Sequence, residues 1–172
     1  MRSDCPAADD WAAMGVPFRY LNATPEPGGP PCSRLLWGPP GSGKTHRAVA
    51  LLKTARGYVN SARFLALPEV QLARRAAVRV PTDQPLPGDL AIDRGFVVMD
   101  DIARDPRITD FWEEFVSGFV MARYNACKPT VFTSNFPLSE IAVRLGQHVT
   151  DRIAEMCGPN VEKMAAKDWR RP

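Results

Sequence analysis

GPPGSGKT, residues 38–45, is the stretch on which the reading of this chain turns. Gly38, Gly41 and Gly43 let successive backbone N–H groups turn inward and wrap phosphate oxygens, with Pro39, Pro40 and Ser42 completing the loop. A helix opening at Lys44 aims its N-terminal partial positive charge at the same point. Lys44 carries an ammonium to the β- and γ-phosphates, and the Thr45 hydroxyl is a ligand for Mg²⁺. The flanks agree with this reading. Arg34-Leu35-Leu36-Trp37 reads as a short buried strand before the loop, and Ala48, Val49, Leu51 and Leu52 form an inward helix face after it, ended at Gly57.

Outward from the loop, strands and helices alternate. Tyr58-Val59 reads as a second strand, and Phe64, Leu65, Leu67, Val70 and Leu72 as a helix. A Pro-rich loop follows at 81–90. Phe96-Val97-Val98-Met99 is a continuous apolar run of the kind buried on both faces of a parallel sheet. Thr109–Asn125 repeats Phe111, Phe115, Phe119 and Ala122 at helical spacing. Pro129–Ser134 is another buried strand, and Pro137 opens a helix that Gly146 stops. Val149–Met156 reads as a last helix, with one more strand in the tail 161–172. The expectation is an α/β fold, a P-loop NTPase with a parallel sheet flanked by helices.

Two further strand ends carry chemistry. Asp100-Asp101 closes the strand Phe96–Met99. A carboxylate there suits Mg²⁺ coordination by Asp100, and Asp101 is placed to polarise an attacking water. Val131-Phe132-Thr133-Ser134-Asn135 brings a polar run to the next strand end, the edge where open α/β sheets bind ligands. Asn135 is thus a candidate for contact with the γ-phosphate or that water.

Composition bounds the rest. The 172 residues suit one domain, with 45% apolar and 24% charged residues, and a net charge of +3 too mild to name nucleic acid as a partner. The basic excess sits between Lys53 and Arg79, with six basic residues against Glu69 alone. Of the 17 prolines, eight fall in the first 40 residues. This marks 1–33 as a Pro-rich lead-in, with 34–172 as the core. Within the lead-in, GVPFRYLNA (15–23) is expected to run extended and pack on the body. Cys5, Cys32, Cys127 and Cys157 are scattered and read as free thiols. The N-terminus has no apolar signal core and no run of about 18 apolar residues exists, so the expectation is a soluble, cytoplasmic protein with no membrane contact.

Four landmarks in this order resemble the AAA+ ATPases, and within them the DnaC/DnaI helicase loaders and the IstB transposition helpers: GPPGSGKTHRA (38–48), FVVMDDIA (96–103), TVFTSNFPLSEI (130–141) and LGQHVTDRI (145–153). GVPFRYLNAT (15–24) also looks like the stretch which that family places before its ATPase core. The resemblance implies ATP and Mg²⁺ as cofactors, Lys44 and Thr45 as Walker A, Asp100-Asp101 as Walker B and Asn135 as sensor 1. It implies Arg152 as an arginine finger offered to a neighbouring subunit, hence a head-to-tail oligomer. It further implies a replicative helicase or a transposase as partner. Single-stranded DNA is implied at Arg63, Arg74, Arg75 and Arg79, which also read as ordinary solvated helix faces.

The pattern departs from the family at Asp101, where Glu is commoner. An acid one methylene shorter implies slow hydrolysis. The length implies a bare core without a full lid or a helicase-gripping domain. Three readings compete with the loader. The first keeps the family and changes the partner: an IstB-like transposition helper ATPase. The second is a non-catalytic nucleotide-binding inhibitor of a loader or helicase. The third is a small-molecule P-loop kinase, whose Arg-rich lid finds poor candidates in Arg123 and Arg144.

Overall fold

The computed structural model describes residues 8–67, 69, 70, 72, 73, 76, 92, 94–103 and 110–165. Five strands form one all-parallel sheet: β1 (Arg34–Trp37), β2 (Ala62–Ala66), β3 (Phe96–Asp100), β4 (Thr130–Ser134) and β5 (Val161–Lys163). Their spatial order is β2-β3-β4-β1-β5. The helices are α1 (Ala8–Ala13), α2 (Lys44–Ala55), α3 (Asp110–Asn125), α4 (Leu138–Leu145) and α5 (Gln147–Cys157). No described helix is long and apolar enough to cross a membrane.

The strands read as unbroken apolar runs because both faces of the sheet are covered. Leu35, Val97, Met99 and Phe132 point to one side, where α3, α4 and α5 supply Val116, Phe119, Val120, Ile141, Val149 and Ile153. Leu36, Phe64, Phe96, Val98 and Val131 point to the other, against Ala48, Val49 and Leu52 of α2. Each fully buried side chain of this size contributes about 1.5–3 kcal/mol relative to exposure.

The lead-in joins the second layer, with Trp11, Val16 and Ala23 buried in it. It is less extended than expected. Residues 8–13 are helical, and Phe18–Tyr20 make a 3₁₀ turn. It also shields the sheet edge, since the Phe64 N–H on the outer side of β2 donates to the Met14 carbonyl at 2.8 Å.

One strand assignment is corrected. Tyr58-Val59 is not a strand; Tyr58 lies in a turn and is 55% exposed, while the strand is Ala62–Ala66. Phe64 and Leu65, expected in a helix, are adjacent strand residues buried on opposite faces, and helix begins only at Leu67. Two-sided burial of a short run resembles a helical pattern, and only pairing with β3 separates the two. The Pro-rich loop 81–90 and the side chains of Phe111 and Trp112 lie outside the described residues.

An ion-pair chain links the lead-in, β1 and β5 to α2. Glu162 of β5 accepts from Arg34 of β1 at 2.7 Å and also from Arg47 of α2, while Arg47 Nε donates to Glu26 of the lead-in at 2.9 Å. Burial by itself raises the Glu162 carboxyl, but the hydrogen bonds from Arg34 and Arg47 outweigh it and hold the carboxyl below the usual range. A carboxyl depressed in the folded state contributes stability above its unfolded value of about 4.3, and that contribution is lost as pH falls through the depressed value. Glu162→Gln is therefore expected to lower the thermal midpoint modestly at neutral pH, with the gap to the parent closing below about pH 4. Melting curves across that range check this; a gap independent of pH would exclude the ion pair as its cause.

Candidate nucleotide-binding site

β1 is followed by Gly38, whose φ of 152° and tight surroundings demand glycine: a Cβ there would stand 2.7 Å from the Met164 carbonyl oxygen just beyond β5. Gly41 and Gly43 take φ of 84° and 86°, which lets the loop curl back before α2 opens at Lys44. Lys44 is 7% exposed, and its Nζ donates to the carbonyls of Gly38 and Pro39, both at 2.8 Å. The ammonium is thereby held inside the loop, where the phosphates of a nucleotide belong.

Three elements converge on Asp100. Thr45 Oγ1 from α2 donates to its Oδ1 at 2.9 Å, and Thr133 Oγ1 from β4 donates to the same oxygen at 2.7 Å. Burial pushes the Asp100 carboxyl up; these hydrogen bonds pull it down, Asp101 raises it again and Lys44 lowers it, with a net rise. A partly buried carboxylate beside a threonine hydroxyl is a hard, all-oxygen donor set, and it fits Mg²⁺.

Asp101 is one of two non-glycine residues among those described with positive φ, at 68°. Its N–H donates to Thr133 Oγ1 at 2.9 Å, and Asn135 Nδ2 donates to its Oδ1 at 3.3 Å. A non-glycine residue in the left-handed region is costly, and such positions cluster at functional sites. Here the turn swings the second acid away from the strand and towards Asn135.

These groups share a cleft of about 900 Å³, lined by Pro40–Thr45, Asp100, Asp101, Thr133 and Asn135. The lead-in supplies another wall through Arg19, Tyr20, Thr24 and Glu26, with His46 edge-on to Tyr20 at 6.4 Å between ring centroids. The sequence reading missed Thr133 as a hub, and missed the lead-in as part of the cleft. Thr133 stood inside the polar run 131–135, but its tie to both acids depends on the β3–β4 register, with Met99 beside Phe132.

No family model matches the sequence, and no curated protein matches it. Solved structures do. The crystal structure of the DnaC helicase loader superposes with a TM-score of 0.67 at 25% identity, covering 93% of this chain and 92% of that one. The fold is that of the DnaC/DnaI-like AAA+ proteins. A DnaI crystal structure matches at 0.65 with 20% identity, over 92% of this chain and 81% of that one. The replication initiator DnaA bound to AMPPCP and single-stranded DNA matches at 0.64 with 12% identity, over 92% of this chain and 47% of that one.

The described arginines singled out from the sequence, Arg63, Arg123, Arg144 and Arg152, lie apart from the cleft. Arg152 sits on α5 and does not line it. Arg123 is fully buried, and Arg144 stacks on Phe136 with Cζ 3.8 Å from the ring centroid, so neither is a lid residue. Arg63, a candidate DNA contact, is half-buried on β2, and its Nη1 donates to the Ala13 carbonyl at 3.0 Å. Burial and then neighbouring Arg94 lower its pKa. Its observed part is to fasten the lead-in. Arg74, Arg75 and Arg79 lie outside the described residues.

Proposed function

We propose that the chain binds ATP with Mg²⁺ and hydrolyses it slowly, acting in DNA replication as a helicase-loader-type factor in the cytoplasm. The observation that carries this reading is the joint hold of Thr45 and Thr133 on Asp100, with Asp101 and Asn135 alongside, at the mouth of the phosphate loop. It brings three strand ends to one point, with a distinct task for each.

In this reading Gly38–Gly43 cradle the phosphates with backbone N–H groups, and Lys44 exchanges the Gly38 and Pro39 carbonyls for phosphate oxygens. Thr45 and Asp100 hold the Mg²⁺, which supplies charge neutralisation at the β- and γ-phosphates. Asp101 orients the attacking water and accepts its proton, and Asn135 holds Asp101 and faces the γ-phosphate. Residues 34–172 form the ATPase core, and the lead-in 1–33 contributes the second wall of the cleft. Arg152, outside its own cleft, serves the nucleotide of a neighbouring copy in a head-to-tail assembly. Support for the partner comes from the structures matched: one is a helicase loader, and one holds a nucleotide analogue and single-stranded DNA.

The test is ATP turnover together with mass distribution, with ATP or ADP, with and without single-stranded DNA and a replicative helicase. Slow turnover is expected, with assembly in ATP but not in ADP and co-migration with the helicase. A chain that stays monomeric in every nucleotide state and passes phosphate to a nucleoside or metabolite would overturn the reading.

A further inference from the structure

Arg152 is held by two neighbours in an unequal way. Its Nη1 donates to both carboxylate oxygens of Glu155, each at 2.8 Å, and approaches the Tyr124 hydroxyl at 3.4 Å. Its guanidinium lies over the Tyr124 ring, with Cζ 4.8 Å from the centroid. Tyr124 in turn donates its hydroxyl to Glu155 Oε2 at 2.5 Å. The three side chains, from the end of α3 and the later part of α5, close a triangle on the protein surface.

All of the hydrogen bonds use one nitrogen. Among the described residues, Nε and Nη2 of Arg152 have no hydrogen-bond partner. These two share the side-on edge of a guanidinium, where two parallel N–H groups meet two oxygens of one phosphate. The free edge is therefore the one suited to a phosphoryl group, while the nitrogen off that edge and the flat face are the parts restrained.

We propose that Tyr124 and Glu155 are positioning residues that fix the plane of Arg152, so that its Nε/Nη2 edge meets the γ-phosphate of a nucleotide held by a second copy of the chain. The inference rests on the reading of Arg152 as a finger acting between subunits. An unrestrained arginine carries a large rotamer entropy into any contact it makes. A stack and a pair made in advance remove much of that loss from the step in which the phosphoryl group is engaged. The hydrogen bonds from Tyr124 and then Arg152 hold the Glu155 carboxyl below its ordinary range, so it stays a charged acceptor at neutral pH. Glu155 is exposed and Arg152 and Tyr124 are only partly buried, so their contacts add little to folding. Their removal leaves a folded chain in which orientation alone has changed.

The experiment measures kcat and KM for ATP at chain concentrations that assemble. Arg152→Ala is expected to lower kcat by well over an order of magnitude. Glu155→Gln and Tyr124→Ala are expected to lower it about tenfold with KM unchanged, and Tyr124→Phe, which keeps the ring, only about threefold. Subunit mixing adds a readout that a structural role would not move. A Lys44→Ala chain donates a finger but takes no nucleotide, and an Arg152→Ala chain takes nucleotide but donates no finger. Their mixture should regain activity, and adding Glu155→Gln should lower the regained rate when it is on the donor and not when it is on the acceptor.

If Arg152→Ala keeps the parent kcat, the finger reading falls and this proposal falls with it. If Arg152→Ala loses activity while Glu155→Gln and Tyr124→Ala keep or exceed the parent kcat, the finger reading stands and the positioning role is overturned. Glu155 would then be a brake on the finger.

Discussion

Lys44→Ala is expected to weaken ATP binding by two orders of magnitude or more. Lys44 is 7% exposed, and its ammonium is held inside the phosphate loop by two carbonyls of that loop. It is poised for phosphate oxygens, and each charge-assisted hydrogen bond to them is worth about 1.5–3 kcal/mol. Losing two such bonds costs about 3–6 kcal/mol, a factor of roughly 10² to 10⁴ in affinity. The folded state loses less, because Lys44 lines an open cleft and its removal lets water in towards the carbonyls it held. Titration with a fluorescent ATP analogue, paired with a melting curve, separates the two effects. A dissociation constant within threefold of the parent would mean that the cleft does not bind the triphosphate through this loop.

Arg123→Ala is expected to be the most destabilising single change among the described residues. Arg123 is fully buried near the end of α3 and fans out to four acceptors. Nε donates to Thr130 Oγ1 at 2.6 Å, Nη1 to the carbonyls of Ile92 and Arg94 at 3.2 and 2.7 Å, and Nη2 to the Pro129 carbonyl at 2.7 Å. It thus fastens the chain entering β3 to the chain entering β4, the two strands that end in Asp100 and Ser134. Alanine leaves a cavity and several buried acceptors without their donor, at about 1–3 kcal/mol each where no water reaches them. A total loss of about 3–5 kcal/mol is expected, or roughly 10 °C or more in the melting temperature. Lysine keeps the charge without the fan and should recover only part of this. Denaturant titration of both variants checks it; a loss under about 1 kcal/mol would show that the fan is dispensable.

Arg123 also shows where sequence reading ran short. Val116, Phe119, Val120 and Arg123 occupy one buried stripe of α3 at helical spacing. An arginine on that stripe reads as a surface residue until the carbonyls that satisfy it are seen, and those come from residues up to 31 positions away. β2 is the same lesson for the backbone. Tyr58-Val59 has the stronger strand composition, yet Ala62–Ala66 is the segment that aligns with Phe96–Asp100. Side-chain preference is weak beside the gain from completing a ladder and burying Phe64 and Leu65 on opposite faces.

Local chemistry, by contrast, was legible. The phosphate loop needs glycines, a lysine and a threonine in fixed succession, because the bonds involved are made within one turn of chain. β1, β3 and β4, with the helices that follow the loop and β4, announce themselves by apolar runs and breakers. Arg34–Trp37 was read with the bounds it has, and the helix after the loop with its start at Lys44.

The sequence by itself determined the α/β class, the parallel sheet, the phosphate loop and the acids at one strand end. Each of these is encoded in contiguous residues or in a simple period. Tertiary structure alone decided that Thr133 joins the two acids, that the lead-in walls the cleft, that Arg63 and Arg123 are anchors, and that Arg152 keeps one edge free. Those facts depend on strand register and on contacts between distant segments. A linear pattern carries no information on which of many chemically similar partners a side chain will meet once the sheet is assembled.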